Sequence, residues 1–158
     1  FPSGQSPVLS SVFNHTEDAF CVGSSGGTAK IYDICGGKQA RNLNGHLSSV
    51  DFVDYHPFGD FVTTASADTN IKVWDVRNKS CVKTFQNHNE SVNCVKFSPD
   101  GQWIASSSMD GTIRIFDLVA SKQLHRFKVT QPNSSDVPHT LEFSPDELIL
   151  AAIKGKSN

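Results

Sequence analysis

Ile71-Lys-Val-Trp-Asp75 is the stretch on which the reading of this chain turns. Its apolar positions alternate with Lys72 and end on an aromatic-Asp pair, the pattern of a half-buried strand. The pair returns as Tyr32-Asp33 and Phe116-Asp117, so residues 32, 74 and 116 stand 42 apart. Phe13, Tyr55 and Phe97 keep that interval, as do Gly26, Asp68 and Asp110, and His46 recurs as His88. Leu141-Glu-Phe143-Ser-Pro-Asp146 opens a fourth copy, 46 residues after Val95-Lys-Phe97-Ser-Pro-Asp100. The four extra residues are assigned to Gln131-Pro-Asn-Ser-Ser-Asp136, which has loop composition. Self-similarity at a fixed period marks a repeat architecture.

Within the copy at 47–88 the strands are predicted at 49–55, 61–66, 71–75 and 79–85, with turns at 56–59 and 67–70. Ser98-Pro-Asp-Gly101 and Met109-Asp-Gly111 place Asp-Gly between β-rich runs, where glycine tolerates positive φ. Nothing reads as a helix. A period in the low forties with an aromatic-Asp signature resembles the four-stranded blades of the WD40 class. The expected fold is therefore all-β, a partial WD40 β-propeller with antiparallel blades at about 5–46, 47–88 and 89–130 and a partial one at 131–158. That is about three and a half blades of a seven-bladed ring. Phe1-Pro2-Ser3-Gly4 has no initiator Met and is no signal peptide, so a longer parent chain is expected. Open blade edges also lead us to expect that the segment is not a stable monomer by itself.

In this repeat class a His, a Ser/Thr, an Asp and a Trp form a buried polar chain whose donors and acceptors satisfy one another. By position the 47–88 copy has all four: His46, Thr64, Asp68 and Trp74. The next copy has His88, Ser106 and Asp110, but Phe116 removes the indole donor. The first copy carries Val22, Gly26 and Tyr32 and lacks the chain. The Trp74 blade is accordingly expected to be the most rigid.

His46, His88, Asp68 and Ser106 could suggest a hydrolase triad, yet they recur at the repeat period, as structural positions do. No G-x-S-x-G, phosphate loop, dinucleotide fingerprint or H-E-x-x-H is present. His15, His56, His125 and His139 are too dispersed for metal ligation. No catalytic residue, cofactor or metal is expected. Cys21, Cys35, Cys81 and Cys94 form no CxxC pair and read as reduced, half-buried fillers. The sequons at Asn14, Asn78, Asn89 and Asn133 read as loop residues. A net charge of −2 and a pI near 6.3 give no pointer to nucleic acid, and no apolar run is long enough to span a bilayer. What remains is surface: a basic cluster of Lys72, Arg77, Lys79 and Lys83 that would suit an acidic partner, and the inserted loop at 131–138.

His56-Pro-Phe-Gly-Asp-Phe-Val62, Asp68-Thr-Asn-Ile-Lys-Val-Trp-Asp-Val-Arg-Asn-Lys-Ser-Cys-Val82 and Phe97-Ser-Pro-Asp-Gly-Gln-Trp-Ile-Ala-Ser106 resemble the propeller of the katanin regulatory (B) subunit family. The resemblance runs from about residue 9 to 150, with Asn87 where Gly usually precedes the His, Phe116 for Trp, and no Gly-His in 128–138. It implies a non-catalytic regulatory or targeting subunit, cytoplasmic and placed at microtubules or the centrosome. Its implied partners are tubulin or centrosomal proteins and the microtubule-severing AAA ATPase, the latter through a helical region absent here. Another cytoplasmic or centriolar WD40 scaffold is the alternative, and a propeller enzyme the third.

Overall fold

The computed structural model describes residues 6–129, 137–144 and 150–155, the last of these by backbone alone. The first sheet is β1 (Val8–Phe13), β2 (Ala19–Ser24), β3 (Thr28–Asp33) and β4 (Lys38–Asn44). The second is β5 (Val50–Tyr55), β6 (Phe61–Ser66), β7 (Ile71–Asp75) and β8 (Ser80–Phe85). The third is β9 (Val92–Phe97), β10 (Trp103–Ser108), β11 (Thr112–Asp117) and β12 (Lys122–Lys128). β13 (Val137–Phe143) pairs with β14 (Leu150–Gly155) as the start of a fourth. Each four-stranded sheet is an antiparallel meander in sequence order, and no helix forms among the described residues. The molecule is thus all-β, a partial WD40-type propeller. The loop at 131–136, with the sequon at Asn133, and the terminal residues 1–5 and 156–158 lie outside the described residues.

The sheets pack face to face through their first strands: β1 lies on β5, β5 on β9 and β9 on β13. These are the inner strands, and β4, β8 and β12 form the outer edges. Successive residues of a strand point to opposite faces, so each blade carries two apolar faces. Trp74 and Val62 face the first blade, packing with Ile31 and Leu43; Ile71, Val73 and Phe85 face the third, packing with Ile104 and Phe116. The Phe85 and Phe116 rings stand 4.6 Å apart at 37°. A third cluster joins Cys94, Ala105 and Ile113 to Leu141 of the fourth sheet. Burial on both faces explains why β6 and β10 read as nearly continuous runs of small and apolar residues.

The period of 42 is written into the backbone as well. Gly37, Lys79 and Ser121 hold φ of 59°, 56° and 55° in the three successive β3–β4-type turns. Gly27, Thr69 and Gly111 hold 77°, 70° and 73° in the opposite turns. Positive φ is costly for a β-branched residue, so Thr69 is a strained site that its fixed turn over-determines. It also explains why the fourth strand starts at Ser80: Lys79, expected inside it, is spent on the turn.

Ile104 is wholly buried where the second and third blades meet. Ile104→Ala should cost about 2–5 kcal/mol. In chemical denaturation we expect both blades to lose protection together, whereas loss confined to the third would contradict shared packing.

Candidate functional site

Four elements converge at the end of the second blade where the chain enters from β4. The β4–β5 loop supplies His46, β6 supplies Thr64, the β6–β7 turn supplies Asp68 and β7 supplies Trp74. Trp74 Nε1–H donates to Thr64 Oγ1 at 2.9 Å, and Thr64 Oγ1 lies 2.7 Å from His46 Nε2. His46 Nδ1 lies 2.8 Å from Asp68 Oδ2, which also accepts from the Leu47 N–H at 2.9 Å. One proton arrangement satisfies the row: the threonine hydroxyl donates to a bare Nε2, and Nδ1–H donates to the carboxylate. Asp68 Oδ1 caps the Asn70 N–H at 3.0 Å, which pins the strained turn at Thr69. The chain thus closes a loop, a strand, a turn and a strand on one another.

The His46 ring is 1% exposed. Burial lowers its pKa against the opposing pull of Asp68, which keeps the imidazole neutral. Burial also acts to raise Asp68, but the hydrogen bonds from Leu47, His46 and Asn70 together outweigh it and hold the carboxyl below its ordinary range. A histidine and an aspartate in this state have no hydroxyl free to activate, since Thr64 is already engaged on both sides.

The third blade repeats the plan with a substitution. His88 Nε2 meets Ser106 Oγ at 2.7 Å, and Nδ1 meets Asp110 Oδ2 at 3.0 Å. Phe116 occupies the tryptophan position, wholly buried and without a donor. Arg114, one period on from Lys72, enters instead: its Nη2 reaches Asp110 Oδ2 at 3.4 Å, Nε reaches Thr112 Oγ1 at 3.3 Å and Nη1 reaches Gln123 Oε1 at 2.9 Å. Thr112 Oγ1 in turn donates to Asp110 Oδ1 at 2.6 Å. Burial opposes ionisation of Asp110, but Thr112, His88 and Asn89 hold its pKa down, to about 2. Expecting only a lost donor here missed Arg114 and Thr112; the one available signal was an arginine at an alternating position two residues before the aromatic.

The departure at Asn87 has a steric account. A Cβ built on Gly45, at φ 152°, would lie 3.2 Å from Trp74 Cη2. One period later Asn87 does not take that positive-φ backbone, and the ring across from it is Phe116, which lacks the indole's second ring.

A second cluster, unforeseen in the sequence, bridges the inner strands. Asp54 of β5, Lys96 of β9 and Glu142 of β13 hold equivalent positions in three successive sheets. Lys96 Nζ is 3.4 Å from Asp54 Oδ1 and 3.6 Å from Glu142 Oε1, and lies over the Phe52 ring. Asp54 Oδ2 also accepts the Phe97 N–H at 2.9 Å. Burial pushes Asp54 up to about 6 despite Lys96.

The four candidate surface cations do not form one patch. Lys72 pairs across to Thr84 and donates to its hydroxyl, on the face that carries Trp74. Lys83 pairs with Val73, the adjacent residue, and so lies on the opposite face, where its ammonium donates to the Leu118 carbonyl of the third blade. Arg77 is ion-paired with Asp60, and Lys79 stands exposed in the turn. Alternation within the strands scatters what is contiguous in sequence. All four cysteines are free, as expected, but none is half-buried: Cys21 and Cys94 are fully buried strand residues, and Cys35 and Cys81 are exposed. Burial pushes the two core thiols up, to about 12 and about 11. No cluster of three or more His, Cys, Asp or Glu able to hold a metal occurs among the described residues.

Thr64→Val orphans two groups, His46 Nε2 and the Trp74 indole, whereas Ser106→Ala orphans only His88 Nε2. Denaturant titration should show a loss of about 2–4 kcal/mol for the first and about 1–2 for the second; equal losses would contradict the row as drawn. The pH dependence follows from signs. His46 and His88 have lowered pKa, so the unfolded chain binds more protons below the ordinary midpoint of 6.5 and stability falls as pH drops through it. Asp54 is raised, so its contribution runs the other way, present at low pH and lost as pH rises from about 4 to about 6. Asp54→Asn should therefore gain on the parent by on the order of 2 kcal/mol across that window, and a pH-independent difference would contradict this.

No curated protein matches the chain. The family model described as "WD domain, G-beta repeat" matches residues 37–75 and 79–117. Those segments hold Trp74-Asp75 and Phe116-Asp117 and both histidine networks, so WD40 repeats are detected over these two stretches.

Proposed function

We propose that this chain is a non-catalytic scaffold that binds other proteins, and that its parent is a regulatory and targeting subunit of the katanin microtubule-severing complex. WD40 repeats point to the scaffold part. The buried His, Thr or Ser, and Asp are consumed in holding strands together, which leaves the exposed turns and edges as the variable part of a rigid frame. Support for the katanin part is the run from Asp68 to Val82, whose Asp-Thr-Asn-Ile-Lys-x-Trp-Asp-x-Arg-x-Lys-x-Cys-Val pattern resembles the katanin B propeller. On this reading the protein is cytoplasmic, sits at microtubules or the centrosome, contacts tubulin or centrosomal proteins, and meets the AAA ATPase through another region.

A second reading, another cytoplasmic or centriolar WD40 scaffold, has its own support. Much of that run serves to build the blade. Asp68, Asn70 and Trp74 belong to the polar chain and its turn, and Asp75 caps the Arg77 and Asn78 N–H groups at 2.8 and 3.0 Å. Residues fixed by blade geometry recur wherever such a blade is made, whatever the partner.

Affinity capture on the intact protein separates the two. The first reading expects an AAA ATPase to co-purify and the complex to co-sediment with microtubules. Charge reversal at Arg77 and Lys79, the two most exposed cations of the group, should weaken sedimentation several-fold. Recovery of other partners, without ATPase or microtubule binding, would move the assignment to the second.

A further inference from the structure

The blades meet in grooves that open at the end bearing the β5–β6 and β7–β8 turns, and two successive grooves differ in chemistry. Between blades one and two the groove, about 410 Å³, is lined by Asn14, Asp18, Arg41, Asp60 and Arg77 among others. Its counterpart between blades two and three, about 290 Å³, carries His56, Phe61, Lys83, Leu118 and Val119 at the equivalent positions 42 residues on, in the order His56 for Asn14, Phe61 for Ala19, Lys83 for Arg41, Leu118 for Val76 and Val119 for Arg77. The outer-strand cation is kept as a clamp in both. Arg41 Nε donates to the Val76 carbonyl at 3.3 Å, and the Lys83 ammonium donates to the Leu118 carbonyl. The second groove has the larger apolar rim, with Val119 where the first has Arg77 and Phe61 where it has Ala19, and that rim is exposed: Val119 is 87% accessible and Val82 49%.

A frame that needs the clamp has no need of this apolar rim, and contiguous exposed apolar surface marks contact sites. Among the residues lining the second groove Lys83 holds the only formal charge, and no carboxylate lines it. The acids nearest in sequence are turned to their own turns: Asp117 Oδ1 accepts the Ala120 N–H at 2.7 Å, and Asp75 caps Arg77 and Asn78. The volume lies at the small end of ligand clefts, room for one or two side chains and no more. We propose that this groove binds an extended segment of a partner protein that inserts an aliphatic or aromatic anchor between Val82 and Val119 and sets acidic residues against Lys83. The assignment rests on the scaffold reading and names one of its contact surfaces.

The test uses the intact protein and two fluorescein-labelled peptides with the same central Leu-Phe pair, one flanked by glutamates and the other by lysines. Fluorescence anisotropy should show the acidic peptide bound about ten-fold or more tightly than its basic twin. Val119→Glu, at a site exposed enough to leave the fold alone, should abolish binding of the acidic peptide. Lys83→Gln, which keeps a donor for the Leu118 carbonyl while removing the charge, should erase the preference for the acidic peptide. Equal affinities, binding unaffected by Val119→Glu, or no binding of either peptide up to about 1 mM would overturn the assignment. Sedimentation with phosphatidylserine vesicles that Val119→Glu abolishes, without peptide preference, would give the groove to a membrane surface and overturn it equally. If the groove fails while affinity capture still recovers partners, the scaffold reading stands and only the groove assignment falls; if the groove fails and capture recovers none, both fall.

Discussion

The hydrogen-bond row from the Trp74 indole through Thr64 and His46 to Asp68 joins four separate segments of one blade, and it does so with groups that water would otherwise claim. Buried polar groups of this kind are costly when half satisfied and rigidifying when complete. The row dictates much around it. It keeps His46 neutral, it commits Asp68 to the turn that holds Thr69 at positive φ, and its indole packs against Gly45, where a Cβ would stand 3.2 Å from Cη2. The third blade reaches a comparable result with different parts: Phe116 stands at the indole position, and a buried guanidinium one period on from Lys72 reaches Asp110 and Thr112.

On that frame, the repeat makes comparison between blades informative. Positions that carry structure keep their character every 42 residues, as do the positive-φ turns and the clamp formed by Arg41 and then Lys83. Positions free of that duty diverge. The first groove is crowded with opposite charges and the second is apolar, although the same strands build both. The inner row of Asp54, Lys96 and Glu142 is another divergence, an ionic bridge laid across three sheets where the first blade has Val12. Function in such a molecule is sought in these differences, because a shared scaffold cannot distinguish one partner from another.

The strands were legible in the sequence because both of their determinants are local. Alternation and the aromatic-Asp marker set β6 and β7 at Phe61–Ser66 and Ile71–Asp75, the bounds expected, and the interval of 42 carried them to the neighbouring copies. His46, Thr64, Asp68 and Trp74 could be aligned for the same reason. What could not be read depends on the neighbouring blade. Asp54 and Lys96 sit at positions that alternation alone would give to solvent, and their burial comes from the adjoining sheets. The basic cluster is spread by cross-strand register: Lys72 of β7 pairs with Thr84 and Lys83 of β8 with Val73, so the two lie on opposite faces. Arg114 was hidden because its burial answers a change two residues away.

The row runs in one direction, with a neutral His46 accepting at Nε2 and donating at Nδ1. Long-range nitrogen–proton correlation NMR reads the tautomer directly. A protonated Nδ1 and a bare Nε2 are expected for His46 at pH 6.5, the ordinary histidine midpoint. An imidazolium signal at that pH, or the opposite tautomer, would contradict it.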